Sequence, residues 1–98
     1  MAITRSHALR MLTEHKIELM RRFGVTDLAL FGSTARDAAG EGSDVDVLVA
    51  FDGPATSERY FGVQFYLEDL LDCPVDLVTD KALRSELRPY VEREAVHV

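Results

Sequence analysis

The chain has 98 residues, 47% of them apolar, which suffices for one core and one domain over residues 1–98. Eleven basic against 17 acidic residues leave a net charge of −6, which argues against a general nucleic-acid groove, because phosphate backbones call for a basic stripe. The single cysteine, Cys73, excludes an internal disulfide, and no apolar run approaches the ~20 residues of a membrane span.

The N-terminus shows no basic segment followed by an apolar core, so no signal peptide is expected and the cytoplasm is the expected compartment. Residues 4–23 read as a helix. Leu9, Leu12, Leu19 and Phe23 fall on one stripe with Ile17 and Met20 beside it, and Gly24 stops the helix after two arginines. His7 and His15 read as solvated residues of its polar side. Residues 25–31 form a nearly continuous apolar run, as expected of a strand covered on one face and partly on the other. Gly32 ends it, and Ser33 is placed to cap a short helix over residues 34–38. A polar loop over residues 39–42 leads to a second strand, residues 43–51.

In that second strand Asp44 and Asp46 share one face, while Val45, Val47, Val49 and Phe51 share the other. Two acids opening an apolar strand repel each other unless a cation lies between them, which weakens the alternative of a merely solubilising edge. After a turn at Asp52-Gly53-Pro54, Thr56 or Ser57 caps a helix running to Leu71. Its aromatic residues Phe61 and Phe65, with Tyr60 and Tyr66 nearby, read as core rather than as a platform for bases. Cys73 reads as a small buried hydrophobe before a third strand, residues 74–79. Asp76 points away from Val75 and Leu77 in the middle of that strand, a costly place for a lone carboxylate unless it is paired or binds metal. Asp80 is placed to cap a last helix with Leu83 and Leu87 buried, which Pro89 interrupts or restarts, and Tyr90, Val91, Ala95 and Val96 close the core.

One spacing stands out: Gly32-Ser33 after a strand, ten residues, then Asp44-Val45-Asp46 opening the next. Free N–H groups at a helix start suit a phosphate, and carboxylates at alternate strand positions suit a hard cation such as magnesium. Gly32, Ser33, Asp44 and Asp46 resemble the signature of the polymerase-β-like nucleotidyltransferase superfamily. Arg36, and Gly42-Ser43 just before the acids, narrow the resemblance to the minimal nucleotidyltransferases, small antitoxin-type partners of HEPN-domain toxins. It covers nearly the whole chain, although the ending over residues 87–96 is a weaker signature than the central motif.

The resemblance implies an α/β (α+β) fold, with a small mixed sheet, helices packed on one face and the acids on the open face. Periodicity alone supports three or four strands and four helices. The resemblance further implies that Asp44 and Asp46 bind two Mg²⁺ ions and that Asp76 completes the site and takes the acceptor proton. Gly32, Ser33 and Ser43 would hold phosphates. Arg36 would add charge beside them, although pairing with Asp37 or a site carboxylate is an equal alternative. The implied reaction moves AMP from ATP onto a hydroxyl, a tyrosine's, of a cognate HEPN toxin in a type VII toxin–antitoxin pair, within a hetero-oligomer and without direct nucleic-acid or membrane binding. Two other readings stay open: a catalytically silent antitoxin that neutralises its partner by contact, and a small-molecule nucleotidyltransferase of the aminoglycoside-modifying kind. The intact acids and Gly-Ser turn speak against the first. The lack of a further helical domain in this sequence speaks against the second.

Overall fold

A computed structural model describes residues 3–40 and 44–98. In chain order it contains α1 (Arg5–Phe23), β1 (Val25–Phe31), α2 (Gly32–Ala35), β2 (Val45–Phe51), α3 (Ser57–Leu71) and β3 (Val75–Thr79). A 3₁₀ turn (Asp80–Ala82), α4 (Arg88–Glu94) and β4 (Val96–His97) follow. The four strands form one mixed sheet in the order β3-β2-β1-β4, with β2 and β3 parallel and the other neighbours antiparallel.

The sheet is built on the alternation of β2. Val45, Val47 and Val49 are completely buried against Leu28 and Leu30 of β1, Val75 and Leu77 of β3, and the apolar sides of α1 and α3. α1 contributes Ala8, Leu12 and Leu19 to this core, and α3 contributes Val63, Leu67 and Leu71. The two helices approach closely at Gly62, where a Cβ would collide with the Phe23 ring. As expected, helices cover one face and Asp46 and Asp76 stand on the other, in register on neighbouring strands.

Both long helices are capped as the sequence suggests. The Thr4 hydroxyl accepts from the His7 N–H, and the Thr56 hydroxyl accepts from the Arg59 N–H. Gly24 ends α1 at φ +73°, donating its N–H to the Met20 carbonyl. A further contact was not legible: Asp37, itself at φ +57°, accepts from the Arg5 N–H at 3.1 Å. It thereby ties the segment after α2 to the start of α1, where a negative charge suits the helix dipole.

α3 also closes the outer edge of the sheet. Tyr60, Gln64 and Glu68 lie four residues apart on one side of the helix. The Tyr60 hydroxyl donates to the Leu77 carbonyl, the Gln64 amide donates to the Val75 carbonyl, and the Glu68 carboxylate accepts from the Val75 N–H.

Several expectations are corrected. Phe61 and Phe65 stack on each other but face outward, 48% and 61% exposed, because Val63 and Leu67 occupy the inward side of α3. Ile17, Met20, Leu87 and Tyr90 are likewise exposed. His15 is part-buried and bonded to the Tyr66 hydroxyl rather than solvated. Cys73 is half-buried. Asp80 opens a 3₁₀ turn capped by the Thr79 hydroxyl, and the last helix starts only at Arg88, with Pro89 in its first turn. A fourth strand follows it, pairing Val96 with Leu30 and His97 with Ala29. Among the described residues no helix is long and apolar enough to cross a membrane.

Candidate nucleotidyl-transfer site

The acids, the glycine turn and Arg36 converge at one end of the sheet. β1 runs antiparallel to β2, so its last residue, Phe31, pairs with Asp46 near the start of β2. Gly32 follows at φ +73°. A Cβ at Gly32 would overlap the Asp46 carboxylate, so only glycine lets that carboxylate lie against the turn. β3 runs parallel to β2 and brings Asp76 directly beside Asp46. Asp44 stands exposed just before β2, which begins at Val45 rather than at Ser43. Ser43 itself, like Gly42, lies outside the described residues.

The electrostatics of the group follow from this placement. Burial pushes the Asp46 carboxyl up to about 6, and the Asp76 charge, a side-chain hydrogen bond with Asp76 and the Asp44 charge push the same way. Arg36 opposes them. Asp76 is exposed on the edge strand, so the burial cost expected for it falls on Asp46 instead.

Two phosphate-site residues stand differently from expectation. Ser33 does not cap α2: the helix begins one residue earlier, at Gly32, and no side chain caps it. α2 spans four residues, so any anion affinity there comes from the exposed N–H groups of one turn rather than from a long helix dipole. Arg36, at the C-terminal end of α2, donates from Nη1 to Glu94 Oε1 at 2.7 Å, and neither Asp37 nor a site acid is its ion-pair partner. Glu94 was missed in the sequence because its position depends on the short strand β4 that follows it.

The residues present fit a hard divalent cation in an open site. Like charges meet at Asp46 and Asp76, and one proton or one cation relieves them. Among the described residues no three His, Cys, Asp or Glu side chains converge on one point. Magnesium is commonly held by one or two carboxylates plus phosphate oxygens and water, and an acid pair meets that need. A cavity of about 200 Å³, lined by Val49, Phe51, Thr79 and Lys81 among others, lies at the far end of β2 and is separate from the acids.

Comparisons with known proteins agree with this geometry. A nucleotidyltransferase domain model matches residues 12–97. The protein adenylyltransferase MntA of Thermococcus cleftensis is 45% identical over 87 residues, covering 89% of this chain and 88% of that protein. A solved minimal nucleotidyltransferase structure superposes with a TM-score of 0.80 at 37% identity, covering 96% of this chain and 95% of the other. An MNT antitoxin complex with a tri-AMPylated HEPN toxin of Shewanella oneidensis shares the fold, with a TM-score of 0.65 at 21% identity over 92% of this chain and 70% of that one. With the acid pair, the glycine turn and the mixed sheet all in place, the chain belongs to the nucleotidyltransferase family, in its minimal, MntA-like form.

Proposed function

We propose that this chain is a magnesium-dependent protein adenylyltransferase that moves AMP from ATP onto a tyrosine hydroxyl of a HEPN toxin in the cytoplasm, acting as its antitoxin. The observation that carries the reading is the Asp46–Asp76 pair, in register on parallel strands, with the Asp46 carboxylate packed against a glycine where any Cβ would push it aside. The 45% identity to a protein adenylyltransferase supports AMP as the group moved. The tri-AMPylated HEPN toxin bound to a similarly folded antitoxin supports the acceptor.

Transfer requires a hydroxyl oxygen to attack the α-phosphorus of ATP. The new O–P bond forms, the bond to the bridging oxygen breaks, pyrophosphate leaves, and the hydroxyl proton passes to a base. Asp46 and Asp76 would hold magnesium, with the Asp44 charge adding to the same field, and the ion would supply charge neutralisation and activation of the attacking oxygen. Asp76, exposed on the edge strand, is open to the acceptor and is the residue assigned to take the proton. Gly32 leaves room for phosphate at the turn. The Ser33 hydroxyl, unused as a cap, would donate to it, and Ser43 is assigned the same task from the sequence pattern. Arg36 adds positive charge on the same side.

The test is the intact mass of a candidate HEPN toxin after incubation with this protein, ATP and magnesium, beside the Asp44→Ala, Asp46→Ala double variant. The expected result is a gain of one or more AMP units, absent with the double variant. A toxin that binds tightly yet stays unmodified would replace this reading with neutralisation by contact. A toxin that neither binds nor changes would remove the partner, and small hydroxylated acceptors would be screened next.

A further inference from the structure

Glu94 is oddly placed for a residue that only maintains the fold. It is the last residue of α4, where the helix dipole disfavours a carboxylate. Its contact with Arg36 is solvent-exposed, 53% and 37% for the two side chains, and such a pair adds little to stability. Its position is nonetheless tightly determined. β4 pairs Val96 with Leu30 near the end of β1, and this brings the end of α4 against α2. The end of α4 therefore delivers a carboxylate to the arginine that follows α2, and that carboxylate takes one Nη of Arg36.

We propose that Glu94 is a positioning residue for the nucleotide: it holds the Arg36 guanidinium beside the Gly32-Ser33 turn, leaving the remaining N–H donors of the fork to bind phosphate. The role rests on the nucleotide reading of the site. An arginine side chain has much rotamer freedom to lose when it grips an anion, and a partner that has already ordered it removes part of that cost. Glu94 engages Nη1 alone, so among the described residues the planar fork keeps edges for a second anion.

The test measures binding of a non-hydrolysable ATP analogue with magnesium by calorimetry, on the unaltered protein, Glu94→Gln, Glu94→Asp, Arg36→Ala and the Arg36→Ala, Glu94→Gln pair. Thermal unfolding and the ¹⁵N signals of the Arg36 guanidinium are followed alongside. Glu94→Gln is expected to weaken analogue binding about tenfold with little change in unfolding temperature and to free the guanidinium rotation. Glu94→Asp should recover part of the affinity. In the Arg36→Ala background the Glu94 change should have no further weakening effect, because the role runs through Arg36. Unchanged or tighter binding by Glu94→Gln, or equal weakening with and without Arg36, would overturn the role of Glu94 alone. No analogue binding by the unaltered protein would overturn the nucleotide reading and this role with it.

Discussion

On the helix side of β2, Val45, Val47 and Val49 are fully buried within the apolar core. On the other side the same strand presents Asp46, next to Asp76 and within the field of Asp44. The first face gains free energy from every contact it makes. The second carries like charges pressed together, an arrangement that costs stability until a proton or a cation joins it. At the start of this strand core and acid therefore lie on opposite sides, and only further along, at Leu48, is the Asp46 side buried as well.

The comparison is broken most severely by removing charge from the acid face. Asp46→Asn should lower adenylyl transfer by about a thousandfold or more, since stabilisation of several kcal/mol is lost with the metal. The same variant should fold as well as the parent at neutral pH. A measured loss of both activity and fold would contradict the division. On the opposite side, Leu30→Ala should cost about 2–5 kcal/mol in urea unfolding while folded molecules keep their turnover. Gly32→Ala joins the two effects, because its φ of +73° strains any Cβ by about 1–2 kcal/mol and that Cβ displaces the Asp46 carboxylate. Weakened magnesium binding together with a modest fall in stability is the expected pair of results.

The smallest effect, and the sharpest, is the dependence on pH. Asp46 has a carboxyl at about 6 in the folded chain, against 3.8 for the ordinary group. The native state thus holds its proton more tightly than the unfolded state does. Without metal, the contribution of this residue to stability is full below about pH 3.8 and is lost as pH rises through about 6. On the proposed reading magnesium would displace that proton, so affinity should climb with pH up to about 6 and level off above it. Subtracting the same titration of Asp46→Asn isolates the residue; identical curves for the two proteins would show that the carboxyl titrates elsewhere.

Much of this was legible in the amino-acid order because it depends on local periodicity. Alternation in residues 43–51 implies two faces for β2, and the Gly-Ser turn with the spaced acids marks the candidate site. What escaped depends on the three-dimensional path. Arg36 could not be assigned a partner because Glu94 lies 58 positions away and reaches it only through the packing of α4 against α2. Phe61 and Phe65 resembled core by residue type, yet Val63 and Leu67 between them hold the inward positions. Asp80 looked like a cap, but Thr79 one position earlier supplied the hydroxyl. The spacing of Tyr60, Gln64 and Glu68 was visible and went unread, because polar residues four apart on a helix ordinarily face water.

That row of three side chains has a consequence for assembly. An edge strand with bare N–H and C=O groups invites another chain to extend the sheet, the usual route to aggregation. Here three outward groups of β3 are already engaged by α3. Strand addition at this edge would first have to peel the helix away. Any chain that docks here is therefore directed toward side-chain surfaces, and this edge is guarded against stacking on further copies of the protein.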